Sequence, residues 1–335
     1  MKVELLAIGS IFVIIILLSV FVPIENGDAM LRNFGKSPEL TNTGRWINSE
    51  PLKIGELQGS VVLIDFWTYS CINCIRTLPY LKSWHEKYAD KGLVIIGVHT
   101  PEFEFEKDYD NVKQAVEKFE IKYPVVQDNE YGTWRAFKNN YWPRKYLIDV
   151  EGNIRYDHIG EGAYDETEEA IVALLKEKSD VEMNETRPEP QDTDFGQIRT
   201  PELYFGHEFA RVPLGNKEGF QPNKVVEYSD AEVEKLDTIY LKGAWRNNPD
   251  NMEAVENASI SLIYDAKSVN IVASGSGNMQ VVLDGSPDSS GGDVEGGVVI
   301  VDSDRLYNLI SLDYSEHKLT ILVEKGIKLH AFTFG

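Results

Sequence analysis

The chain has 335 residues, with 54 Asp and Glu against 33 Lys and Arg, and a formal net charge of -21. That length accommodates two domains and an appendage. So acidic a surface argues against nucleic acid as a partner and against docking on anionic lipid headgroups.

Residues Leu5 to Ile24 are almost continuously apolar, interrupted only by Gly9, Ser10, Ser19 and Pro23. About 20 helical residues span the ~30 Å hydrocarbon layer of a bilayer. The run exceeds the ~7–15 apolar residues of a signal peptide, and no A-x-A cleavage site follows. Residues 1–28 therefore read as a retained single-pass membrane anchor, with a cleaved signal segment as the rival. Lys2 and the α-amino group precede the span while Glu25 and Asp28 follow it, which places the rest of the chain on the extracytoplasmic side of the cell membrane.

Residues 29–50 read as a polar connector. Val61 to Trp67 is expected as the first central strand, and the helix after it runs from Cys71 to about Tyr88, with Leu78, Leu81 and Trp84 along one face. Leu93 to Val98 is a second strand, apolar enough to be buried on both faces. A helix over 108–119, a strand over 123–127, a short helix over 131–137, a hairpin over 146–159 and a helix over 165–176 complete an α/β unit, residues 51–180. The order predicts one mixed sheet with helices on both faces. Residues 181–199, rich in acid and Pro, read as a linker. From residue 200 onward short strands alternate with turns such as Ser274-Gly275-Ser276-Gly277 and Asp284-Gly285. Expected strands include 225–228, 260–264, 269–273, 279–283, 298–301, 319–323 and 329–334, which predicts an all-β sandwich or jelly roll over 200–335.

The chemistry points to Cys71 and Cys74, the only two cysteines. A thiol at a helix N-terminus lies beside unpaired backbone N–H groups and the positive end of the dipole, which favour the thiolate. Thiolate is the species that attacks a disulfide sulfur. Cys71 is expected to attack, and Cys74, one turn on, to resolve the mixed disulfide. A zinc site would need four ligands, which the chain's cysteines and histidines do not supply. A structural bridge over two intervening residues closes too short a loop to restrict the unfolded chain much. No cofactor is called for beyond the redox-active Cys71–Cys74 pair.

Trp67-Thr68-Tyr69-Ser70-Cys71-Ile72-Asn73-Cys74, Gly97-Val98-His99-Thr100-Pro101-Glu102-Phe103, Tyr141-Trp142-Pro143-Arg144-Lys145-Tyr146-Leu147-Ile148-Asp149 and Thr200-Pro201-Glu202-Leu203-Tyr204-Phe205-Gly206 carry a family likeness. The region resembles thioredoxin-like proteins of the TlpA and ResA type, and most closely the soluble C-terminal part of the DipZ family. The resemblance implies a thioredoxin fold followed by a carbohydrate-binding-module-like β domain. It implies a cis bond before Pro143, facing the cysteine pair and exposing the backbone of Trp142. It also implies that Asp65 is buried and takes the proton of the resolving thiol; without the resemblance, Asp65 reads equally as an edge position. Members of that family carry a multi-helix, CcdA-like membrane domain ahead of this region, where a single span stands here. A separate membrane electron donor of the CcdA type would then be a partner.

Trp67, Tyr69, Ile72, Asn73, Trp142 and His99 are expected along the substrate groove. His99, with Glu102 and Glu104, follows a strand parallel to the central one, so it should border the Cys71 end and has the side chain to shuttle a proton. Trp245, Tyr264, Tyr307 and Tyr314 are candidates for stacking on a sugar, although an aromatic in a strand is more often core. The function expected is a membrane-anchored extracytoplasmic thiol–disulfide oxidoreductase that reduces disulfides of exported proteins. The alternatives are a disulfide oxidase or isomerase, and a cell-surface protein whose β domain binds carbohydrate.

Overall fold

The computed structural model describes residues 31–177, 188 and 198–335. The expected anchor, and the linker apart from residues 188, 198 and 199, lie outside the described residues. Among the described residues no helix is long and apolar enough to cross a membrane.

Residues 31–177 form a six-stranded sheet of β1 (Trp46–Ile47), β2 (Val61–Trp67), β3 (Leu93–His99), β4 (Val125–Gln127), β5 (Arg144–Ile148) and β6 (Ile154–Ile159), in the order β1-β4-β3-β2-β5-β6. Strands β2, β3 and β4 are parallel; β1, β5 and β6 run antiparallel to their neighbours. Four helices, α1 (Ile72–Tyr88), α2 (Tyr109–Lys118), α3 (Gly132–Ala136) and α4 (Tyr164–Lys176), surround it. Successive side chains of a strand point to opposite faces, and both faces of β2 are covered. Val61, Leu63 and Trp67 join the core that holds Leu78, Leu81 and Trp84 of α1, while Val62, Ile64 and Phe66 pack with Trp134, Phe137 and Tyr146. This two-sided cover is why the strand reads as an unbroken apolar run. Helix α1 is tied to α4 at its far end, where buried Glu168 accepts from Tyr88 Oη at 2.6 Å and Lys87 Nζ at 2.8 Å.

The stretch expected as a connector packs onto this unit. Trp46 and Ile47 pair with Val126 and Val125 of β4, and Leu40 and Trp46 cover the second core. Gly132 sits so close to the Thr41 carbonyl that a Cβ would collide with it. Polar residues between short apolar anchors hid this packing from a reading based on periodicity.

Residues 198–335 are all β. Strands β7 (Leu203–Tyr204), β8 (Val225–Tyr228), β9 (Tyr240–Asn247), β10 (Met252–Ala254), β11 (Ala258–Ser274), β12 (Gly277–Leu283), β13 (Ser286–Pro287), β14 (Val298–Val301), β15 (Arg305–Val323) and β16 (Lys328–Phe334) form one hydrogen-bonded set. Its path is β13-β12-β15-β11-β16-β10-β9-β8, with β14 on β12 and β7 on β16. Two expected strands, 260–264 and 269–273, are one strand, β11. It pairs with β15 from Ala258↔Val323 to Ala273↔Arg305, and register shifts at Ala266/Ser268 and Val269/Asn270 carry it through the polar stretch. Up to Ala266 its buried residues alternate, whereas from Val269 to Ser274 every residue is buried. The change has a cause: Val272, with Ala331 and Tyr204, packs against Phe103 of the first unit. Trp245, Tyr264 and Tyr307 are each 0% exposed in the core of this domain. These three aromatics therefore offer no face to a sugar and are core, as aromatics in strands more often are.

Candidate active site

Cys71 is the N-cap of α1, in extended backbone geometry, and its Sγ accepts the Cys74 backbone N–H at 3.3 Å. Cys71 is half-buried and Cys74 is buried at 1% exposure. Cys71 packs at the rim of the first core, and Trp142 packs on the same core. One sulfur is thus within reach of solvent while the other is sheltered. Burial pushes the Cys74 thiol up, and the Cys71 sulfur and the charge of Asp65 add to that.

Asp65 sits in the middle of β2 at 1% exposure. Burial raises its carboxyl to about 7, and the Lys145 ammonium works against the rise. One carboxylate oxygen has no hydrogen-bond partner among the described residues, and neither has Lys145 Nζ, itself 0% exposed. Asp65 and Lys145 are register partners on β2 and β5, while on the β3 side Asp65 faces Gly97. Burial lowers the Lys145 pKa; the charges of Asp65 and Cys74 oppose this. The Cys74 thiol, the acid and the amine thus form one buried electrostatic group. Lys145 was not visible to sequence reasoning, because beside Arg144 at a strand start it reads as a solvated charge. Its register with Asp65 would have been the signal.

The Trp142–Pro143 peptide is cis. Trp142 is half-buried, donates from Nε1 to the Thr100 carbonyl at 3.0 Å and lies 4.2 Å from the Trp134 ring centre. Ile72 and Asn73 are half-buried in the first turn of α1, with the Asn73 carbonyl accepting from Thr77 Oγ1. Trp67 is fully buried in the core and forms no open wall.

His99 and Tyr69 differ from the expectation. His99 is 0% exposed, burial lowers its pKa to about 3, and it stays neutral throughout the physiological range. It holds rather than shuttles: Nε2 lies 3.3 Å from Thr68 Oγ1 and accepts the Tyr69 backbone N–H at 3.3 Å. The Tyr69 ring stacks on His99, and its hydroxyl donates to the Asp304 carbonyl of the β domain at 3.1 Å. Both residues are buried, and Tyr69 is in contact with the second domain. Nearby, buried Glu106 accepts from Ser70 Oγ at 2.5 Å, a residue that sequence reasoning did not single out.

Residues 36–157 match the AhpC/TSA family and residues 200–335 match the thioredoxin-like C-terminal domain. Protein DipZ of Mycobacterium bovis is 36% identical over 323 residues, 93% of this chain and 44% of DipZ. The thiol-disulfide oxidoreductase YkuV of Bacillus subtilis is 29% identical over 140 residues, covering 42% of this chain and 94% of YkuV. The first unit is thus similar to proteins named thiol-disulfide oxidoreductases, and the chain as a whole to DipZ. ResA of Bacillus cereus, another protein named as such an oxidoreductase, is 27% identical over 122 residues, 36% of this chain and 68% of ResA. A solved thiol-disulfide isomerase from Corynebacterium glutamicum is 23% identical with a TM-score of 0.39, covering 43% of this chain and 98% of that chain. The chain spans less than half the length of the DipZ proteins it matches.

Proposed function

We propose that the protein reduces disulfides of exported proteins from the extracytoplasmic face of a membrane, held there by its N-terminal apolar segment. The Cys71 thiolate attacks one sulfur of the partner's disulfide, forming a mixed disulfide and expelling the partner's other sulfur, which takes up a proton. Cys74 then gives its proton to Asp65 and attacks the Cys71 sulfur, releasing the partner's second thiol and leaving Cys71–Cys74 oxidised. Two electrons have passed to the partner, and a dithiol donor, for which a CcdA-type membrane protein has the right chemistry, returns them. The observation that carries this reading is the pairing of a half-buried helix-capping cysteine with a buried one beside a carboxyl raised to about 7. A raised carboxyl accepts a proton best near neutrality.

The direction is tested by the equilibrium of the Cys71–Cys74 pair with glutathione. A potential near the thioredoxin value of about -270 mV supports reduction, whereas one near about -120 mV makes the protein an oxidase. Catalysed insulin reduction that disappears in Cys71→Ser is the accompanying expectation.

A further inference from the structure

Each of the three residues before Cys71 is held by a contact from elsewhere in the fold. Thr68 Oγ1 meets His99, the Tyr69 hydroxyl reaches Asp304 in the β domain, and Ser70 Oγ donates to Glu106. Glu106 is fully buried, and its other carboxylate oxygen accepts the backbone N–H groups of Glu102 at 2.5 Å and Phe103 at 2.9 Å. Those two residues touch the β domain. Glu102 Oε1 accepts from Tyr204 Oη at 2.8 Å, and Phe103 packs against Tyr204, Phe209 and His330. An unbroken path of contacts therefore runs from β7 through Glu102 and Glu106 to the residue next to the attacking cysteine.

We propose that Glu106 is a positioning residue for Cys71, and that the β domain acts on the active site through it. Burying a carboxylate is costly unless donors surround it. Here all its donors come from two segments, one carrying Cys71 and one seated on the β domain. Burial pushes Glu106 up; hydrogen bonds from Ser70, Thr68, Phe103 and Glu102 oppose the rise. The titratable groups that feel its charge are Glu102, Tyr69 and Tyr131 of its own unit, and Glu102 in turn faces Tyr204, Glu202 and Arg211 of the β domain. Tyr204 Oη also donates to Glu202 at 3.1 Å, so the hydroxyl is shared between the two units. This assigns the second domain a part in the chemistry of the first, whatever else it binds. It rests on the reading that Cys71 is the attacking sulfur.

The test uses the full chain and reads the thiol–disulfide equilibrium with glutathione and the rate of attack on a peptide disulfide. Ser70→Ala cuts only the last link, Glu106→Gln keeps the shape without the charge, and Tyr204→Phe removes the β-domain hydroxyl. Ser70→Ala and Glu106→Gln are each expected to shift the equilibrium constant about tenfold, which is about 30 mV for a two-electron couple. Tyr204→Phe shifts it in the same direction by about threefold, and the Ser70→Ala/Tyr204→Phe double variant goes no further than Ser70→Ala, because residues in one network do not add. A Ser70→Ala protein with unchanged equilibrium and unchanged attack rate overturns the proposal, as does full additivity in the double variant. Should Glu106→Gln fail to fold, Ser70→Ala and Tyr204→Phe still decide. Failure of the underlying reading looks different: Cys71→Ser would retain disulfide reduction.

Discussion

Asp65 and Lys145 face each other across two strands, and each has a buried polar atom unmatched among the described residues. The Asp65 carboxyl is raised from 3.8 to about 7, so the fraction able to take a proton from Cys74 grows through neutrality. The rate of partner release from the mixed disulfide should rise with pH around 7 in the native protein and lose that rise in Asp65→Asn. Stability follows with its own sign. Between about pH 4 and 7 the unfolded chain has lost the Asp65 proton while the folded chain keeps it, so folding stability falls as pH rises through that window. Thermal melts of Asp65→Asn should therefore gain on the native protein from pH 4 to 8, and equal gaps at both pH values would contradict the burial argument. Lys145→Met removes the charge that restrains the rise, so the release profile should move to higher pH. At this scale the sequence displayed the cysteines and the acid, but hid Lys145 and Glu106, whose roles depend on partners 80 and 36 positions away. It also suggested a titrating His99, because a loop-edge histidine and a buried one look alike until packing is known.

Helix α1 presents the two cysteines, and its inward face sets where they stand. Leu78, Leu81 and Trp84 are 3%, 0% and 0% exposed, in the spacing the sequence displayed. Leu81→Ala should cost about 2–5 kcal/mol in urea unfolding, the range for emptying a packed leucine site. The same variant should leave the Cys71–Cys74 equilibrium with glutathione near its native value, since Leu81 lies well past the first turn. Strand β2 and helix α1 were legible because a strand buried on both faces, followed by a one-sided helix, leaves a strong pattern. Strands β11 and β15 were legible only in pieces. Asp265 to Ser268 breaks the apolar alternation, yet the bulge lets the ladder continue. The first half of β15 alternates too weakly to register: its partner strand, not its own composition, holds it in place.

Across the whole molecule, the two units meet at the loop after β3. Phe103 is 2% exposed between Tyr204, Phe209 and His330, and the Glu104 backbone N–H reaches Asp250 of the β domain at 3.2 Å. Phe103→Ala should uncouple the units, giving two calorimetric transitions where a single one is expected of the native protein. The sequence predicted two domains but carried no sign that they touch, since an interface aromatic reads as ordinary core. The account as a whole depends on a division of labour between two sulfurs. Its most direct test is covalent trapping: Cys74→Ser and Cys71→Ser proteins are each mixed with a disulfide-bonded protein and resolved under non-reducing conditions. A mixed disulfide that accumulates on Cys74→Ser and is absent from Cys71→Ser is the predicted result. An adduct on Cys71→Ser equal to that on Cys74→Ser would contradict it.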